Sequence, residues 1–283
     1  MRWTARRALA GRKPFSLLAA VAAAAMLAAV LAVPADGGAT GAAQRLDPAY
    51  RMKGTSSSGQ AFDGVAAVGA LFSYNSGKLG SHFCTASVVH SRSGDLAVTA
   101  AHCVTGKVSQ IAFVPGYANG KAPFGVWEVT QIYTDKAWQA SQDPDDDVAF
   151  LRLSAASDGD GVPVEDITGA EQFSAGNLGP GQQQSVLVQV IGYPDGADEP
   201  VWCVNWTKSF GQTQLEFDCG GYTDGTSGGP FLADVSSTSG QGTVIGVIGG
   251  YEQGGSTASV SYAAKFSTRM AALYRTALAA AGS

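Results

Sequence analysis

From residue 62 onward the chain is a succession of short apolar or alternating segments, at 65–74, 83–89, 96–101, 109–115, 127–133 and 148–153, then at 185–191, 215–218, 230–233, 243–249 and 259–264. Segments this short, separated by Gly, Asn, Asp and Pro, suit strands, and their number calls for an all-β sandwich or barrel. Composition points the same way. With 37 glycines, 11 prolines and only 14% charged residues, the chain favours strands with many turns over long solvated helices. One stretch reads as a helix: over 265–281, Phe266, Met270, Leu273 and Ala277 recur on one helical face, which predicts a packed C-terminal helix.

The first residues carry an address. Arg2, Arg6, Arg7, Arg12 and Lys13 precede an apolar run over 15–33 broken only by Ser16, with small residues following at Val33-Pro34-Ala35. This is the pattern of a secretory signal, with cleavage expected after Ala35 and no stable membrane association afterwards. Left uncleaved, the same run is long enough to span a bilayer. Residues 36–61, rich in Gly, Ala, Ser and Thr, read as a linker or propeptide, which leaves 62–283 as the folded domain. Removal of those five cations makes a chain of net charge -5 more acidic still, which excludes nucleic acid as a partner. A secreted, extracellular monomer is expected.

Cys84, Cys103, Cys203 and Cys219 fit that compartment. They are even in number, lack zinc-ligand spacing, and are most simply paired locally, Cys84 with Cys103 and Cys203 with Cys219. The acidic stretch Asp158-Gly-Asp-Gly161 with Glu165 and Asp166 offers oxygen ligands but does not complete a calcium loop, and reads as a solvated turn.

Three places carry residues suited to chemistry. His102 ends an apolar strand beside a cysteine, where a rigid scaffold can present an imidazole to a cleft as general base. His82 and His90 lie in polar surroundings and read as surface residues. Asp147 closes the cluster Asp143-Pro-Asp-Asp-Asp147 and abuts the apolar Val148-Ala-Phe-Leu151, so its carboxylate can be partly buried and can orient an imidazole. Asp143, Asp145 and Asp146 read as its solvated neighbours. Ser227 sits in Asp224-Gly-Thr-Ser-Gly-Gly-Pro230, where flanking glycines let a carbonyl approach the hydroxyl and let the N–H groups of Gly225 and Ser227 form an oxyanion hole.

Chain order separates the scaffolds that use this chemistry. An α/β-hydrolase places its histidine after the serine, and no histidine follows His102. The subtilisin order has candidates in Asp63 and Asp95, but this chain lacks the alternating helices of a doubly wound sheet. The order His102, Asp147, Ser227 on an all-β chain remains.

Thr99-Ala-Ala-His-Cys103, Asp147-Val-Ala-Phe-Leu151 and Gly225-Thr-Ser-Gly-Gly-Pro230 resemble the signature blocks of the chymotrypsin/trypsin-like serine proteases, particularly secreted bacterial members. The resemblance implies two six-stranded antiparallel β-barrels with a C-terminal α-helix and an active site between the barrels. It implies His102 as general acid/base, Asp147 as its orienter, Ser227 as nucleophile, Gly225 and Ser227 as the oxyanion hole, and a Cys84–Cys103 disulfide beside the histidine. Protein or peptide substrates and no metal or other cofactor are then expected. The competing class is a catalytically silent, protease-like extracellular binding protein.

The pattern also departs from the family. Thr226 stands where animal trypsins keep the aspartate that receives a newly cut N-terminal amine, so that activation switch is not expected. Gly221 stands where they keep the acid of the specificity pocket, with Asp224 or Glu252 as other sources of charge. Val247-Ile-Gly-Gly-Tyr251 resembles the pocket wall. Gly221, Gly249 and Tyr251 are therefore the candidate pocket residues, with Tyr251 either narrowing the entrance or packing as an ordinary strand aromatic.

Overall fold

The structure, a computed structural model, describes residues 55–106, 108–154, 161–174 and 185–280. The expected leader, most of the linker and the acidic stretch at 158–160 lie outside the described residues. The strands are β1 (Gln60–Ala61), β2 (Val68–Asn75), β3 (Lys78–Val88), β4 (Leu96–Thr99), β5 (Ile111–Pro115), β6 (Trp127–Thr134) and β7 (Ala149–Leu153). They continue with β8 (Gln172–Phe173), β9 (Leu187–Gly192), β10 (Val201–Phe210), β11 (Gln214–Asp218), β12 (Pro230–Ala233), β13 (Thr243–Val247) and β14 (Val260–Ala264).

Strands β2-β3-β4-β7-β6-β5 close into an antiparallel barrel, β5 pairing back onto β2. The second half does not repeat this closure. It is an eight-stranded sheet in the order β14-β11-β10-β9-β12-β13-β8, with β1 added to β10. Closure of the expected second six-stranded barrel is not seen among the described residues, where this sheet is open. The free edge of β13 is taken by β8 in parallel pairing, Thr243 opposite Gln172. Next to β13 only the Gly249 N–H reaches β14, through the Tyr262 carbonyl at 3.0 Å. Pairing with β8 thus occupies the Thr243–Val244 end of the β13 edge.

The continuous apolar runs follow from burial on both strand faces. In β4 and β7, Ala97 and Leu151 point into the barrel with Leu71, Phe113 and Trp127. Their neighbours Val98 and Phe150 join Ile191, Tyr193, Leu232 and Met270 in a core shared with the second sheet. A third cluster, with Val190, Leu215, Phe217 and Phe231, fills the second sheet.

The C-terminal helix α3 spans Thr268–Ala279 and buries Met270, Leu273 and Ala277. It begins later than its periodicity suggests. The Lys265 N–H still donates to Thr213, extending the strand, and the Ser267 hydroxyl caps the helix by accepting from the Arg269 N–H. Phe266 is buried just before the helix. Arg152 of β7 ties the helix to the barrel, donating to Asp95 at 2.7 Å and to the Ala277 carbonyl at 2.9 Å. A cation at a helix C-terminus is the favourable sign for its dipole. The other helices, α1 (Lys136–Ser141) and α2 (Val164–Thr168), are too short to show an apolar period in the sequence.

Two polar residues were placed differently by the sequence or not placed at all. His82, expected at the surface, is buried among Phe72, Tyr117 and Tyr193. Its Nε2 lies 2.9 Å from the Ala197 carbonyl, which can only accept, so Nε2 carries the proton. Glu171 lies fully buried between barrel and sheet, its backbone bonded to Val88 and His90 and one carboxyl oxygen accepting from the Gly242 N–H.

Burial pushes the Glu171 carboxyl up to about 8, against the opposing pull of the Gly242 N–H. The native state therefore keeps a proton that the unfolded state loses above its ordinary carboxylate range. Stability from this group is present at low pH and is lost as pH rises from about 4.5 to about 8. Glu171→Gln removes the titration. Denaturant midpoints measured from pH 5 to pH 8 should fall more steeply for the wild type than for the variant, the difference reaching a few kcal/mol, on the order of 4. Parallel curves would mean that Glu171 is ionised in the folded protein.

Candidate active site

His102 lies in a single 3-10 turn, Ala101–Val104, directly beyond β4, and Asp147 directly precedes β7. Pairing of Thr99 with Ala149 brings these two strand ends together at one end of the barrel. Asp147 is 1% exposed, and its carboxylate is fully engaged. Oδ1 accepts the His102 backbone N–H at 2.9 Å, while Oδ2 accepts the Gly250 N–H at 2.9 Å and lies 2.7 Å from His102 Nδ1. An ionised carboxylate can only accept, so Nδ1 carries the proton and Nε2 is left as the basic nitrogen. Gly249 makes room for this pair: a Cβ there would stand 2.9 Å from Asp147 Oδ2.

Asp146, expected to be solvated, is instead completely buried and pairs with Arg269 of α3 at 2.9 Å. Burial raises its carboxyl to about 6, although Arg269 pulls the other way. Asp145 accepts from Gln214 at 2.6 Å and Asp143 caps the turn through the Asp145 N–H, so these two acids have structural partners within the fold.

Ser227 comes from the second sheet, in the loop between β11 and β12. Gly225 has φ 89° and Gly228 φ 82°, a region that favours glycine, and neither site has room for a side chain. A Cβ on Gly225 would meet the Tyr193 carbonyl at 2.6 Å, and one on Gly228 would meet the Thr85 carbonyl at 2.2 Å. The N–H groups of Thr226, Gly228 and Gly229 donate to Thr223, Ile248 and Thr226. Among the described residues, those of Gly225 and Ser227 have no such acceptor. Thr226 buries its side chain and donates its hydroxyl to Thr223 at 2.7 Å.

His102 and Ser227 line one cleft of about 400 Å3, together with Tyr222, Thr223, Asp224 and Glu252. No hydrogen bond joins Ser227 Oγ to His102; in catalytic pairs such a contact commonly tightens only when substrate binds. The candidate pocket residues each pack on a neighbour of the cleft-lining segments. Gly221 packs beside Gly59, Gly249 against Asp147, and Tyr251 against Phe210 and Tyr262 at ring separations of 4.8 and 5.1 Å. Glu252 and Gln253 reach the cleft from a tight turn with φ 49° and 55°.

Cys84 is bonded to Cys103, next to His102, and Cys203 to Cys219, bracing the strands before the serine loop. Cys84, His102 and Cys103 are the one grouping among the described residues close enough to hold a metal, but both sulfurs are committed to the disulfide.

A closed antiparallel barrel packed on a second sheet, with a His–Asp pair from one and a glycine-flanked serine from the other, defines the class of trypsin-like serine proteases. The family model described as Trypsin matches residues 60–273, and the chain belongs to that family. Solved structures share the fold. The protease Anisep from Arthrobacter nicotinovorans is 23% identical, with a TM-score of 0.63 over 78% of this chain and 99% of its own. The thermostable serine protease AL20 from an extremophilic microorganism is 22% identical, with a TM-score of 0.61 over 76% and 97%. A Glu endopeptidase, solved in complex with MPD, is 14% identical, with a TM-score of 0.58 over 79% and 98%. A comparison with curated protein sequences returns no match.

Proposed function

We propose that the protein is a secreted serine endopeptidase that cleaves peptide bonds through an acyl-enzyme on Ser227. The observation that carries this reading is one cleft lined by both Ser227 and a histidine whose Nδ1 is pinned by a buried carboxylate, next to two backbone N–H groups with no acceptor among the described residues.

His102 Nε2 takes the Ser227 proton as Oγ attacks the scissile carbonyl. The imidazolium so formed is stabilised by Asp147, and the developing oxyanion by the Gly225 and Ser227 N–H groups. His102 then protonates the leaving amine, the C–N bond breaks, and the ester remains on Ser227. Water, activated by the same nitrogen, hydrolyses that ester and returns the proton to Ser227. No metal has a role in these steps. Export is supported by the leader pattern and by the two disulfides, which persist in oxidising compartments. Among the described residues no helix is long and apolar enough to cross a membrane.

The test is intact mass of the processed protein after incubation with a fluorophosphonate, followed by peptide mapping. A single adduct on Ser227, with cleavage of a peptide library, is expected. An unlabelled, folded, processed protein would overturn the reading and favour the silent binding protein.

A further inference from the structure

We infer that Thr85 of β3 is a positioning residue for the oxyanion-binding loop, holding the carbonyls of Gly225 and Ser227 so that the loop's N–H groups stay turned toward the cleft. The inference rests on the acyl-enzyme reading above and concerns a barrel residue outside all three signature blocks.

The loop can be followed one peptide plane at a time. In the plane 224–225, the Asp224 carbonyl accepts the Asp195 N–H at 2.6 Å and the Gly225 N–H has no protein acceptor among the described residues. In the plane 225–226, the Gly225 carbonyl accepts the Thr85 hydroxyl at 3.0 Å while the Thr226 N–H donates to Thr223 at 3.2 Å. In the plane 226–227, the Thr226 carbonyl accepts the Gly229 N–H at 2.9 Å, and the Ser227 N–H again has no such acceptor. In the plane 227–228, the Ser227 carbonyl accepts the Thr85 N–H at 2.7 Å and the Gly228 N–H donates to Ile248 at 2.7 Å. Every carbonyl of the run is anchored, and the two N–H groups left over belong to the planes flanking the one gripped by the Thr85 hydroxyl.

Thr85 can act this way because it is itself immobile. It is fully buried, its Oγ1 accepts the Tyr193 N–H at 2.9 Å while donating to Gly225, and its carbonyl accepts the Thr99 hydroxyl at 2.7 Å. Its neighbour Cys84 is bonded to Cys103, which follows His102. One turn of strand β3 therefore references both the base and the serine loop to the same rigid frame. Preorganised donors are effective only while their direction is fixed before the charge develops.

Thr85→Val keeps the shape, the strand preference and the backbone N–H, and removes only the hydroxyl. The expected result is a fall in kcat of about tenfold or more with KM changed less than about twofold, because the lost alignment matters mainly in the transition state. Rates are taken per site titrated to completion with fluorophosphonate. Thr85→Ser, which restores the donor without the methyl, should recover kcat to within about threefold. The ratio of affinities for a peptide aldehyde and the matching peptide alcohol should drop about tenfold in the valine variant, since only the aldehyde forms an oxyanion on Ser227. If the valine variant does not fold, Thr85→Cys, with its weaker thiol donor, should show the same losses in smaller measure. Wild-type kcat and aldehyde preference in either variant, or a serine variant as impaired as the valine one, would overturn the inference. Failure of the wild type to label at all would sink the acyl-enzyme reading itself.

Discussion

Replacing Ser227 with Ala should lower peptide hydrolysis by about a millionfold and leave a folded protein. The size of the effect follows from the parts. With the nucleophile gone, no acyl-enzyme forms, and the base and oxyanion donors retain only the modest acceleration they give to direct attack by water. The fold should tolerate the change because the Ser227 side chain makes no hydrogen bond among the described residues, whereas its backbone carbonyl, bonded to Thr85, is unchanged. kcat/KM on the best-cleaved library peptide, together with the thermal midpoint, checks both halves. A variant within tenfold of the wild type would mean that another residue is the nucleophile.

Asp147→Asn should reduce kcat by about ten-thousandfold near neutral pH with little change in KM. The reason lies in three hydrogen bonds that all need an acceptor: two backbone N–H groups and His102 Nδ1. An amide has only one acceptor atom, so its NH2 must face a donor in either orientation. If the NH2 replaces Oδ2, it meets the Gly250 N–H and forces the His102 proton onto Nε2, where the ring can no longer accept from Ser227. If it replaces Oδ1, it opposes the His102 backbone N–H and displaces the turn that carries the imidazole. Either way a buried N–H loses its partner, and stability should fall by about 1–3 kcal/mol. Steady-state kinetics and denaturant midpoints on the same preparation separate the two losses. Unchanged kcat in a folded variant would remove Asp147 from the mechanism.

How much of this was legible in the sequence varies with how local the deciding contacts are. Helix α3 could be read because Met270, Leu273 and Ala277 carry its buried face within a few turns. Most strands could be read because burial on both faces leaves unbroken apolar runs such as Leu96–Thr99 and Ile111–Pro115, whereas the ten-residue β10, only partly buried along its length, escapes that reading. Closure of the second half could not, since it turns on whether β13 pairs with β14 or with β8, a two-residue strand with no signal of its own. Asp147 could be read from its place against the apolar run 148–151, but burial of Asp146 could not, since its partner Arg269 lies far away on α3. His82 looks polar among its neighbours, but Phe72, Tyr117 and Tyr193 enclose it.

The sequence by itself determined the strand-rich class, the short segments and their turns, and the residue types able to act as base, orienter and nucleophile in their order along the chain. Those properties are written in periodicity, glycine placement and local composition. The tertiary structure alone decided that Asp146 is buried against Arg269, which edge stays open, and which distant groups hold the carbonyls of the serine loop. Each of these depends on hydrogen-bond partners far away in the chain, as with Thr85 and Gly225, separated by 140 residues. A backbone amide is chemically the same wherever it occurs, so only its acceptor, supplied by the fold, determines whether it is structural or free to bind charge.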